Sequence, residues 1–183
     1  MEQMAQSPYI EQAIAEANAL SAALAFVEGQ GSREEAARLT EKALHGHVTE
    51  GLEGVVVRHA MERVVGRAHG ALPTTGPQGK SLERRIFEAT SLAWLRWTNG
   101  EDSQSSHEAL QLLQEEGESC QPQGGALHLM ALRPWQFAVR ALLSGDREEA
   151  RRLFRRATEL GSQCGTESSP VVQWTYAATF CTG

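Results

Sequence analysis

The sequence predicts an all-α fold of about eight helices, and three observations carry that prediction. Apolar residues recur at spacings of three and four through most of the chain. Helix-capping residues and glycine breaks alternate at intervals that suit helices of two to five turns. A short charged segment also occurs twice, each time behind a glycine break and an apolar helix.

In chain order, Pro8 suits a first helical position with Ser7 as its N-cap. Ile10, Ile14, Ala17, Leu20, Leu24 and Val27 follow at helical spacing until Gly29-Gln30-Gly31 stops the helix. Ser32 caps the second helix and Glu35 completes a capping box. Ala36, Leu39, Ala43 and Leu44 mark its apolar side, and it ends near His45-Gly46. Residues 52–69 form a third helix. Val55-Val56-Val57 has strand character, but Ala60, Met61, Val64, Val65 and Ala68 continue with the helical period. Two prolines and three glycines make 70–79 a loop. Ser81 caps a fourth helix that runs to Asn99-Gly100, and a shorter fifth covers about 107–117. After a second loop at 120–125, helical pattern resumes over 126–144. Pro134 inside it points to a short turn and then a helix from near Arg133. Gly145-Asp146 turns the chain into 147–160, and Pro170 opens a last apolar helix reaching Phe180. The expected organisation is a single all-α domain over 1–183. It holds helical hairpins near 8–46, 81–117 and 126–162, an extra helix at 52–69 and a terminal helix at 170–181.

A length of 183 residues suits one domain or two very small ones, and 41% hydrophobic with 22% charged residues is ordinary globular composition. A net charge of -6 disfavours general binding to nucleic acid or anionic membranes. The uncharged stretches contain polar residues, so no membrane insertion is expected. The opening Met1-Glu2-Gln3-Met4-Ala5-Gln6 lacks the basic and apolar regions of a signal peptide. Cys120, Cys164 and Cys181 have no metal-binding spacing, so a cytoplasmic location is expected.

Arg33-Glu34-Glu35-Ala36-Ala37-Arg38-Leu39-Thr40-Glu41-Lys42-Ala43 can be laid over Arg147-Glu148-Glu149-Ala150-Arg151-Arg152-Leu153-Phe154-Arg155-Arg156-Ala157 with seven of eleven positions identical. A weaker copy is Ser106-His107-Glu108-Ala109-Leu110-Gln111-Leu112-Leu113, behind Asn99-Gly100. Recurrence of a two-helix unit predicts an α-solenoid or a compact helical bundle, in which each hairpin covers the next. The segment over 133–162 resembles a tetratricopeptide repeat. Phe137-Ala138 supplies the large-then-small pair of the first helix, Gly145-Asp146 the turn, and Ala150, Phe154 and Ala157 the small-large-small positions of the second. Pro134 stands where an aromatic is usual, Trp135 comes one place late, and Ser162 replaces the closing proline. The hairpin at 20–44 fits with one extra turn residue, the one at 89–114 only with a lengthened turn, and 47–80 not at all.

That resemblance implies a concave groove lined by first helices, in which Trp94, Trp97, Trp135, Gln136 and Val139 would face a partner. The competing reading is that these tryptophans are packing residues. The expectation is a non-catalytic protein–protein interaction module (adaptor, scaffold or chaperone-like) that takes a peptide or a partner helix. It needs no cofactor, and homo-oligomerisation stays open. A second class is a metal-binding or enzymatic helical bundle using His45, His47, His59 and Glu62, since His59 and Glu62 share a helical face. The four-helix glutamate set of di-iron proteins and the His-Glu-x-x-His helix of zinc hydrolases are both missing from the sequence. A third class is a sensing or oligomerisation domain of a regulator. Gly79-Lys80-Ser81 lacks the upstream glycine and strand of a phosphate loop, so Ser81 reads as a cap. Arg147, Arg151, Arg152, Arg155 and Arg156 form a basic cluster. It reads as a solvated face paired with Glu148, Glu149 and Glu159, or as a seat for an acidic peptide or phosphate.

Overall fold

The computed structural model describes residues 7–67, 81–119, 126–164 and 169–181. Among them it holds eight helices and no strand, so the fold is all-α. The helices are α1 (Pro8–Val27), α2 (Arg33–Gly46), α3 (Gly51–Val65), α4 (Leu82–Thr98), α5 (Gln104–Ser119), α6 (Ala126–Leu143), α7 (Arg147–Cys164) and α8 (Ser169–Phe180).

Local chemistry explains most boundaries. The hydroxyls of Ser32 and Ser81 accept from the amides of Glu35 and Arg84, each at 3.1 Å, satisfying amides that the first helical turn leaves without partners. Asp146 does the same for the Glu149 amide at 3.1 Å. At the other ends, Gly29 and Gly145 take φ of 78° and 81°, a conformation that side chains with a Cβ rarely adopt. The next amides, of Gln30 and Asp146, reach back to the carbonyls of Ala25 and Ala141 at 2.8 and 2.9 Å, closing Schellman turns. Gly66 (φ 79°) ends α3 in the same way, earlier than the apolar pattern suggests.

Two other boundaries differ from expectation. Helix α5 begins at Gln104, ahead of 107, and extends to Ser119. Helix α6 is continuous, with Pro134 in its interior, where a turn followed by a new helix is expected. An interior proline removes one hydrogen bond and costs about 3 kcal/mol. Leu132, Trp135, Ala138, Val139 and Leu142 on the same helix are all buried, and that burial outweighs the cost. The loops expected at 70–79 and 120–125 lie outside the described residues.

The chain forms two compact units, one of residues 1–69 with 177–183 and one of residues 70–176. In the first, α2 packs against α1 and α3, burying Ala19, Ala23, Ala36, Ala43, Val56, Ala60 and Met61. The Arg63 guanidinium of α3 donates to the Ala178 carbonyl at 2.9 Å. In the second unit α6 is central, packing against α4, α5 and α7. Helices α6 and α7 are joined by residues 144–146 and pack along their length, so they form an antiparallel hairpin. Phe87 meets Trp135 with centroids 5.8 Å apart, and Phe154 stacks on Tyr176 at 5.9 Å.

The two copies of the internal repeat have matching environments. Ala36 and Ala43 in α2, like Ala150 and Ala157 in α7, are buried. Arg38 binds Glu35 as Arg152 binds Glu149, each through two guanidinium nitrogens.

Candidate functional site

The groove expected along the first helices of the hairpins is not where the tryptophans sit. Trp94, Trp135 and Val139 are 0% exposed and Gln136 is 1% exposed, which corrects their assignment from partner-facing to core. The reason is the position of α6. With neighbours on three sides it has no free face for Trp135, Gln136 and Val139 to present. Their polar atoms are used internally. The Trp135 indole N–H donates to the Thr175 hydroxyl at 3.0 Å, and the Gln136 amide donates to the Leu110 carbonyl at 2.8 Å. Trp97 alone of the five is half-buried.

His45, His47, His59 and Glu62 do not converge. His45 is exposed, His59 is buried, and Glu62 pairs with Arg58 at 2.9 Å. Among the described residues, no three or more His, Cys, Asp or Glu side chains could share a metal ion. His47 is instead a clamp between helices. Its Nδ1 lies 2.5 Å from a Glu16 carboxylate oxygen on α1, and its Nε2 lies 3.2 Å from the Gly54 carbonyl on α3. The Glu16 hydrogen bond, opposed by burial and aided by the Gly54 carbonyl, raises the imidazole above its usual pKa. A raised folded-state pKa favours the protonated form in the folded protein. Its contribution is therefore complete below the unfolded value near 6.5 and is lost as pH rises through the folded value. Urea unfolding should show wild type losing stability relative to His47→Gln as pH rises above the unfolded value near 6.5. A difference independent of pH would show that the clamp does not titrate.

The basic cluster on α7 is largely an ion-paired surface, as the helical spacing suggests. Arg152 pairs with Glu149 and Arg156 with Glu159, at 2.6 and 3.9 Å. One part of it, however, borders a cavity.

An open pocket of about 440 Å³ lies between α5, α6 and α7. Helix α6 contributes Phe137, Arg140 and Ala141, and Ser144 follows at the same helical spacing. Helix α7 contributes Glu149, Arg152 and Leu153, and α5 adds His107. The Asp146 cap and the Gly145 turn fix α7 relative to α6, so these side chains meet at the closed end of the hairpin. Half-buried Phe137, Ala141 and Leu153 supply apolar wall.

Two guanidinium groups supply charge. Arg152 donates from Nε and Nη2 to the Glu149 carboxylate at 2.8 and 2.6 Å, and these bonds hold that carboxyl below the usual carboxylate range. Arg140 Nη1 donates to the Gln114 side-chain oxygen, a neutral acceptor that leaves the positive charge uncancelled by that bond. Its Nε is buried without a hydrogen-bond partner among the described residues. The Ser144 hydroxyl donates to the Arg140 carbonyl at 3.0 Å. The pocket can thus hold an apolar group beside an anionic one.

Sequence reasoning identified Arg152 as basic surface and Phe137 as a packing position, but it did not bring either to this pocket. The available signal was the offset of Arg140, about a third of a turn, from the buried Trp135–Val139 line. Comparison with protein-family models, with curated proteins and with solved structures gave no match to this chain.

Proposed function

We propose that the protein is a non-catalytic interaction module, of the adaptor, scaffold or chaperone-like kind, that captures a peptide segment of a partner protein. The observation that carries this reading is the α5–α6–α7 pocket, with apolar wall from Phe137 and Leu153 between Arg140 and Arg152. At about 440 Å³ it falls in the range of ligand sites and suits one or two side chains rather than a large cofactor. The chemistry selects a segment in which an apolar side chain stands next to Asp or Glu. Packing of α6 against both helices of the preceding hairpin and the matched environments of the two repeat copies support a tetratricopeptide-like scaffold. Such scaffolds present peptide sites on rigid helices. No helix among the described residues is long and apolar enough to cross a membrane, and the reading requires none.

A fluorescence-anisotropy screen with labelled peptides carrying Phe or Leu beside Asp or Glu tests the proposal, with Lys-containing versions as controls. Acidic peptides should bind and Lys versions should not. Arg140→Glu should weaken the acidic peptides by about tenfold or more, the worth of one lost charge-assisted hydrogen bond. Equal retention of both peptide sets, or no effect of Arg140→Glu, would overturn the assignment to this pocket.

A further inference from the structure

The α5–α6–α7 pocket carries charges of both signs, and their balance bears on which anion can enter. Its charged lining side chains are Arg140, Arg152 and Glu149. With His107 counted as neutral, one positive charge is left over. Among the described residues, Arg152 is the one member of the basic cluster on α7 that lines the pocket, and it is already paired. Its Nε and Nη2 both donate to the Glu149 carboxylate, at 2.8 and 2.6 Å. Those bonds lower the Glu149 pKa, so its negative charge is a standing feature of the wall. Arg152 acts there less as a cation than as the holder of Glu149.

The hydrogen-bond donors point the same way. Arg140 has Nη1 on the Gln114 side chain and Nε buried, so neither of its two-nitrogen edges is open to a ligand. On Arg152 both such edges include Nη2, which is bonded to Glu149. The Ser144 hydroxyl is engaged by the Arg140 carbonyl, and the Glu149 amide by the Asp146 carboxylate at 3.1 Å. Arginine sites for phosphate use paired N–H edges, and helix N-termini add backbone amides. Here the donors left to a ligand are single nitrogens, which suit the two oxygens of a carboxylate better than the three of a phosphate.

Resting on the peptide-capture reading above, we propose that Glu149 is a specificity residue, which restricts the pocket to the singly charged side chain of Asp or Glu and excludes a phosphorylated one. A carboxylate brings the pocket to neutrality. A phosphomonoester, with a charge of about −1.5 to −2, leaves negative charge without a counterion. That excess would lie against Phe137, Ala141 and Leu153, and a charge unpaired beside apolar wall is costly.

Fluorescence anisotropy reads this with the full chain and three labelled peptides of one sequence, carrying Glu, phosphoserine or Lys beside Phe. At about pH 7.5 the phosphoserine is largely the dianion. Wild type should bind the Glu peptide about tenfold or more tighter than the phosphoserine peptide. Glu149→Gln should move that ratio about tenfold toward phosphoserine, because the pocket then carries two positive charges. Glu149→Ala should move it in the same direction. The Glu149–Arg152 pair is at the surface, so both variants should keep the wild-type circular dichroism spectrum. Glu148→Gln makes the same charge change one position away, off the pocket, and should leave the ratio within about twofold. A wild type that binds the Glu peptide no tighter than the phosphoserine peptide would overturn this inference and leave peptide capture standing. Equal effects of Glu149→Gln and Glu148→Gln, nil included, would do the same. A Glu peptide bound no better than the Lys peptide would overturn both.

Discussion

Trp135→Ala is expected to destabilise the protein by about 3–5 kcal/mol, the usual cost of deleting a buried aromatic side chain. For a chain of this size that corresponds to a fall of roughly 6–20 °C in Tm by scanning calorimetry. Trp135 is fully buried, rests against Phe87 and spends its indole N–H on Thr175, so alanine removes packing and a hydrogen bond together. Thr175 keeps its own bonds, because its hydroxyl also lies 2.9 Å from the carbonyls of Val171 and Val172. Trp135→Phe should therefore cost less than alanine. A Trp135→Ala variant that melts with wild type and fails only in peptide binding would return this residue to a partner-facing groove.

Ala150→Leu is expected to cost about 1–3 kcal/mol by overpacking. Ala150 has no exposed surface, and α7 packs along α6 more extensively than any other described pair of helices. Three extra carbons at a fully buried position on a helix packed this closely are expected to push the two helices apart. The same substitution at exposed Arg155 should change stability by less than about 0.5 kcal/mol. Equal melting of Ala150→Leu and wild type would mean that the α6–α7 contact is looser than the structure has it.

Helix boundaries were legible wherever the deciding interaction is local. Ser32 with Glu35, and Gly145 with Asp146, act within a few residues and can be read directly from the chain. Helix α3 was legible because period outweighs the β-branched preference of three adjacent valines. Continuity of α6 through Pro134 was not, since part of the burial that overrides the proline comes from α4, distant in sequence, where Phe87 meets Trp135. The same limit explains the tryptophans. Helical spacing shows that a face is apolar, but not whether another helix covers it. The pocket was hidden because Phe137, Arg140, Arg152 and His107 become neighbours only when α5, α6 and α7 have packed. His47 and Glu16 are 31 positions apart, and a His-x-His sequence at a helix end gives no sign of a partner there.

The bond from Arg63 to the Ala178 carbonyl bears on how the molecule comes into being. The two residues are 115 positions apart, and residues 177–181 belong with α1, α2 and α3. During translation, therefore, the unit begun first is completed last. Its opening helices leave the ribosome and wait while the whole of residues 70–176 is made, and only then does its final segment arrive. Nascent chains of intermediate length would hold a finished later unit beside an unfinished earlier one, whose apolar surface stays open to chaperones for that interval. Stalling or cleavage just ahead of residue 177 would leave the earlier of the two units without its closing segment.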